Sequence, residues 1–298
     1  MHNEKIEVIH DEPMLVGECP AWHGAESALY WVDIDGFTVH RLHPQSGTHT
    51  SWKMQSEPSA LAPQADNQLV VATRDSFVRL DTNAGTVTPI VAAPYDTKIV
   101  RFNDGRVDPA GRFWVGTRYE PGNAPAAEMY VLERDVLRRA WAGGMTNSNG
   151  LGWSPDGRTM YHADTTTHRI DCYDFDPVTG MHSNGRTLQT FAADKAAADY
   201  GGRPDGAAVD VDGAYWVAMF EGGRVLRLSP RGEVLDEVPL PVRCPTAVAF
   251  GGPDLRTLYI TSASNGRSAE EIARYPLSGK VLALRVEVAG CEQPEYVR

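Results

Sequence analysis

Short apolar segments alternate with turns rich in Asp, Gly and Pro along almost the whole chain. One unit recurs. An apolar segment leads through a polar turn to a segment with paired large apolar residues, and a second turn leads to a third segment. The paired segments read ALYWVDI, QLVVATR, RFWVGTR, TMYHADT, AYWVAMF and TLYITSA. Their anchors, Trp31, Val70, Trp114, Tyr161, Trp216 and Tyr259, are separated by 39, 44, 47, 55 and 43 residues. The segments that follow (TVHRLHPQSG, FVRLDTNAG, EMYVLERD, RIDCYDFDPVTG and RVLRLSPRGE) alternate apolar and polar positions as half-buried strands do. No long stretch has a helical period. TFAADKAAADYG reads as one short helix or an extended loop, and it accounts for the widest gap.

Six units of about 50 residues, each with three or four short strands, predict an all-β chain folded as a six-bladed β-propeller. The whole chain, 1–298, is then a single domain with no internal linker. The N-terminal KIEVIH and C-terminal KVLALRVEVAG both read as strands. They are expected to pair in one blade and close the ring, because an open ring leaves unpaired strand edges.

The repeats can be stacked to find equivalent positions. Counting back 11 to 13 residues from each anchor reaches the start of the preceding strand, at Glu18, Ser59, Asn103, Asn149, Asp205 and Thr246. All six carry a side-chain oxygen. In a propeller these strands line the central channel, so the six residues predict a ring at one channel mouth. Two acids on one axis repel unless a cation or proton offsets them. Oxygen clusters of this kind suit hard divalent cations. None of the six is His or Cys, which argues against a structural zinc site.

Charge narrows the partners. Lys and Arg number 28 against 39 Asp and Glu, a net charge of −11. This excludes the basic footprint that a nucleic-acid partner requires. The N-terminal MHNEKIEVIH lacks the pattern of a signal peptide, and no apolar run approaches membrane-spanning length. The four cysteines form no C-x-x-C pair and read as small buried residues of a reduced, cytoplasmic protein. A monomer or weak homo-oligomer is expected.

The stretches GECPAW, RFNDGRVDPAGRFWVGT, SNGLGWSPDGRTMYHADT, RPDGAAVDVDGAYWVA and PTAVAFGGPDLRTLYITSA closely resemble the SMP-30/gluconolactonase/regucalcin-like family, over nearly the whole chain. The resemblance implies a six-bladed propeller and a hydrolase of sugar lactones that depends on one divalent metal ion (Ca²⁺, Mn²⁺, Zn²⁺, Mg²⁺ or Fe²⁺). It implies that Glu18 of GECP, Asn149 of SNG and Asp205 of RPDG hold the metal. It implies that Asn103 and Arg101 of RFNDG contact substrate. Glu120 of GTRYEPG corresponds to a substrate-binding glutamate, with Tyr119 as the alternative side chain facing the pocket.

On this reading the cation polarises the lactone carbonyl and Asp205 assists attack by water. The alternatives are a regucalcin-like cation-binding regulator without turnover, and a hydrolase of another lactone or an organophosphate ester. Arg101 has a structural alternative, an ion pair with Asp104. Other polar residues have ordinary explanations. Asp33, Asp35, Asp108, Asp156, Asp164, Asp210 and Asp212 lie in or beside turns, where carboxylates cap backbone N–H groups. His162 and His168 flank a turn near the same face, and Cys19 has no base pattern beside it.

Overall fold

Twenty-four strands run through residues 6–298, the part of the chain described by a computed structural model. They form six four-stranded antiparallel sheets. In order from the centre, blade I holds Gly17–His23, Ala28–Asp33, Thr38–His43 and Thr48–Lys53. Blade II begins with Pro58–Gln64, blade III with Val100–Val107, blade IV with Ser148–Trp153 and blade V with Arg203–Val209. Blade VI is composite. Pro245–Gly251, Thr257–Ser262 and Val281–Arg285 are joined on the outside by Glu7–His10 from the other end of the chain. The expected pairing of the two terminal segments is therefore present. Lys5, the first residue of the predicted strand KIEVIH, lies outside the described residues.

The six anchors all sit on second strands and all are buried. They pack between neighbouring sheets. Trp216 of blade V joins Val248, Ile260 and Leu282 of blade VI in one apolar cluster. Each such side chain contributes roughly 2–3 kcal/mol through burial. Two of the three anchor tryptophans have their polar end satisfied by the turn before them, whereas Trp31 Nε1 is buried without a hydrogen-bond partner. Trp114 Nε1 donates to Asp108 Oδ2 at 2.8 Å, and Trp216 Nε1 donates to Asp210 Oδ2 at 2.9 Å. These aspartates are turn anchors, as their position in the repeat predicts.

TFAADKAAADYG, read as a short helix or an extended loop, is a loop with turns that follows the strand ending at Thr190. The one α-helix among the described residues is Ala269–Arg274, in the crossover between the second and third strands of blade VI. Ser268 caps it by accepting from Glu271 N at 3.1 Å. Among the described residues no helix is long and apolar enough to cross a membrane.

Candidate active site

Every inner strand carries an irregularity at the same place. The ladder shifts register just after Glu18, Phe102, Asn149 and Pro204, and across Pro58–Ala60 and Pro245–Ala247. An extra residue in one strand of an antiparallel pair leaves that residue unpaired and re-aims its side chain. Five of the six equivalent residues thereby line one cavity of about 450 Å³: Glu18, Asn103, Asn149, Asp205 and Thr246. The sixth, Ser59, is turned into its own blade and donates to Ala72 O at 3.1 Å. The Thr246 hydroxyl is also committed, to Gly17 O at 2.5 Å.

The bulge costs backbone strain where it matters most. Gly150, after Asn149, has a φ of +61°, and a Cβ there would lie 2.2 Å from Tyr215 Oη and 2.9 Å from Asp205 O. Only glycine fits, which explains the G of SNG. Cys19, after Glu18, holds a φ of 45° without being glycine. Its backbone N–H donates to Glu18 Oε2 at 3.2 Å and its thiol donates to Asp104 Oδ1 at 3.0 Å.

Asp104 is thus a third buried carboxylate beneath the site, which the repeat alignment did not single out. Burial, followed by the charges of Asp205 and Asp104, pushes the Glu18 carboxyl well above its ordinary range. Burial and the charge of Asp104 push Asp205 up to about 8, against the pull of Arg203, Arg118 and Arg101. The Asp205 carboxylate makes no hydrogen bond to the described residues, so both of its oxygens are available. Arg106 closes the channel below. It crosses from blade III to donate to Ala207 O of blade V at 2.5 Å.

One wall is a chain of hydrogen bonds across three blades. Arg101 Nη1 donates to Asn103 Oδ1 at 2.8 Å. Asn103 Nδ2 donates to Asn149 Oδ1 at 2.9 Å and to Ser148 O at 2.9 Å. Asn149 Nδ2 donates to Thr165 Oγ1 at 2.7 Å, and Thr165 Oγ1 donates to Pro204 O at 2.8 Å, next to Asp205. Arg101 makes no ion pair with Asp104; its nearest carboxylate is Glu120, at 3.7 Å. Burial and the neighbouring Arg118 pull its pKa down to about 10.

Glu120 and Tyr119 both line the cavity. Glu120 is clamped by Arg74, with Nη1 to Oε2 at 2.9 Å and Nη2 to Oε1 at 3.0 Å. His162 and His168 do not line it. His162 is buried behind the wall, 2.9 Å from Ser148 Oγ, and burial lowers its pKa to about 3. A separate group, His10, His40 and His49, brings three imidazoles together on blades VI and I, with His40 Nδ1 and His49 Nε2 3.0 Å apart. None of the three lines the cavity, and their dispersal over three strands hid them from motif spacing.

The donor set at the cavity floor fits an oxygen-preferring divalent cation. Two carboxylates without enough partners and one amide oxygen with a free lone pair converge where mutual repulsion needs offsetting.

The fold and this floor define a six-bladed propeller with an acidic, oxygen-lined site at one mouth of its channel. The family described as SMP-30/Gluconolactonase/LRE-like region matches residues 16–264, and the chain belongs to that family. A 6-deoxy-6-sulfogluconolactonase from Pseudomonas putida is 44% identical over 294 residues, covering 99% of each chain. Regucalcin from Xenopus laevis is 34% identical, covering 94% of each. Among solved structures, a calcium-binding protein, regucalcin, from Agrobacterium tumefaciens superposes with a TM-score of 0.92 at 29% identity, covering 99% of this chain and 98% of its own. A luciferin-regenerating enzyme superposes at 0.89 with 30% identity, covering 99% and 100%.

Proposed function

We propose that this chain hydrolyses sugar lactones to the open-chain acids, with residues 1–298 working as one domain. Glu18, Asn149 and Asp205 would hold one divalent cation. The observation that carries the reading is the pair of buried, under-bonded carboxylates Glu18 and Asp205, set beside the fixed chain of Arg101, Asn103 and Asn149. Membership of a family whose Pseudomonas putida relative is named for lactone hydrolysis supports it.

A divalent cation at that site supplies a Lewis acid that polarises the ester carbonyl and balances charge on its oxygen. The chain's own groups do the rest. Asp205 offers a free oxygen to the proton of an attacking water, and returns that proton to the ring oxygen as the C–O bond breaks. Its two oxygens face no competing protein donor, so ligation and proton transfer can be divided between them. Arg101 donates towards the substrate from a guanidinium held by Phe102 O and Asn103 Oδ1. Both N–H donors of Asn103 are already committed to Ser148 O and Asn149 Oδ1, so it offers substrate only its oxygen. Glu120, fixed by Arg74, can accept from a sugar hydroxyl.

The test is acid release from a panel of lactones, followed by pH-stat, with chelated protein and with cations restored. Turnover should return with the cation and vanish in Glu18→Ala and Asp205→Ala while the far-ultraviolet spectrum is kept. Full activity in protein shown by elemental analysis to be metal-free would sink the cation's role. No release from any lactone would leave a cation-binding protein without turnover.

A further inference from the structure

Blade VI meets blade I at the seam of the ring, and three imidazoles converge there, outside the cavity. His10 stands on Glu7–His10, the outer strand of blade VI. His40 and His49 stand on Thr38–His43 and Thr48–Lys53, the two outer strands of blade I. His40 pairs with Ser51 and Leu42 with His49, so His40 and His49 project from the same face of that sheet. Leu42 and Trp31 of blade I share an apolar cluster with Tyr259 and Val281 of blade VI. Trp31 also orders the rings. It stacks on His40 with centroids 5.0 Å apart and planes 5° apart, and on His49 at 5.8 Å. His10 lies against His49 at 4.4 Å.

These rings leave lone pairs and protons unsatisfied. His40 Nδ1 and His49 Nε2 are 3.0 Å apart, a hydrogen bond in which two nitrogens share one proton. His10 Nε2 and His40 Nε2 are buried without a hydrogen-bond partner among the described residues. The two residues are only 8% and 6% exposed. Burial lowers the pKa of all three histidines, that of His40 to about 3, so near neutral pH each is uncharged, the form that binds a metal. His49 is exposed and gives an ion a way in.

One ring nitrogen from each histidine lies within 4.8 Å of the other two. Nitrogens bonded to one tetrahedral zinc ion stand about 3.4 Å apart, so His40 and His49 are close to that spacing and His10 has to approach by about 1.4 Å at most. Imidazole nitrogens suit Zn²⁺, Ni²⁺ or Cu²⁺, whereas the oxygen donors of the cavity floor suit Ca²⁺ or Mg²⁺. We propose that His10, His40 and His49 form a second metal site that takes Zn²⁺, with its fourth position open to water, and that the ion staples the first strand of the chain to blade I across the seam. The site stands apart from the lactonase reading and does not depend on it.

The experiment uses the full chain, untagged and stripped by chelator, with Asp205→Asn as the background so that the cavity floor is weakened. Titration calorimetry should show one equivalent of Zn²⁺ taken up. His49→Ala, at an exposed position, should weaken that uptake by at least about tenfold, the loss that even a ligand's supporting partner causes. Co²⁺ in place of Zn²⁺ should give the intense visible bands of a four-coordinate ion, and His49→Ala should remove them. Zn²⁺ in hundredfold excess over its dissociation constant should raise the melting temperature by about 3 °C or more, and should not do so in the His49→Ala protein. Zn²⁺ uptake that His49→Ala leaves unchanged, or Co²⁺ without those bands, overturns the site. Uptake that depends on His49 with no rise in melting temperature overturns the staple. Lactone turnover decides neither, so a protein that opens no lactone tests the site equally well.

Discussion

Asn103 Nδ2 lies 2.9 Å from Asn149 Oδ1, so the same repeat position in two neighbouring blades is joined by a single hydrogen bond. Through it Arg101, on blade III, is tied to the residue that blade IV contributes to the cavity floor. Asn103→Ala should release both ends. Leaving buried partners unsatisfied costs about 1–3 kcal/mol, so the melting temperature should fall while the protein stays folded. Loss of a fixed Arg101 should lower kcat/KM for lactone at least about tenfold. Asn103→Asp should be worse in both assays, because it sets an acceptor against the Asn149 oxygen. Wild-type stability in Asn103→Ala would show that this bond carries nothing.

The floor carboxylates set a pH dependence. The folded-state pKa of Asp205 is raised to about 8, and that of Glu18 is raised well above its ordinary range. The folded protein therefore holds protons that the unfolded chain has released. Stability is complete below the ordinary carboxylate range and falls as pH climbs towards the folded values. Chelated protein should lose up to about 1.4 kcal/mol per pH unit per proton across that window, followed by thermal melting. Asp205→Asn should flatten the slope. A divalent cation added near pH 8 should raise the melting temperature of wild type and leave the variant little changed.

Turn aspartates should divide sharply by what they hold. Asp108 accepts from Arg112 Nε at 2.6 Å and Trp114 Nε1 at 2.8 Å, with no exposure. Asp108→Ala strands both, and chemical denaturation should report a loss of about 3–5 kcal/mol. In the equivalent turn of blade IV Ser154 holds the place of Asp108, and the acid there, Asp156, is exposed and bonds Ser154 Oγ and Arg158 N. Asp156→Ala should cost less than about 1 kcal/mol.

Glu120 is partly exposed and clamped by Arg74. Glu120→Gln keeps the shape and removes the charge. Solvent screening limits the stability change to about 1 kcal/mol or less. If its carboxylate holds a sugar hydroxyl, KM for lactone should rise more than kcat falls. An unchanged KM would assign Glu120 to wall structure alone.

The blades were legible because the sheet period and the turn residues repeat, and the anchors Trp31, Trp114 and Trp216 are large enough to mark each copy. Glu18, Asn149 and Asp205 emerged from that same repetition, since a bulge recurs at one point of every inner strand. Asp104 did not, because it lies one residue beyond the repeat position and sits beneath the floor, where its partner is the Cys19 thiol. Arg203 and Arg267 of the cavity wall did not, because Arg203 lies on blade V and Arg267 in the crossover of blade VI, and only Glu221 and Phe220 bring them together. The short helix Ala269–Arg274 was hidden for a related reason: six residues with no buried face leave no periodic signal, and only the Ser268 cap announces it.

Blade VI has an implication for synthesis. Its outer strand, Glu7–His10, leaves the ribosome first among the twenty-four, and the partner it pairs with, Val281–Arg285, leaves last. Blades I to V can each assemble from consecutive chain as they emerge, but the ring stays open until translation has passed Arg285. Until then the floor of the cavity has two unfastened neighbours, blades VI and I, and Glu18 belongs to one of them. Cation affinity should therefore arrive late in biogenesis, with the final strand acting as the clasp.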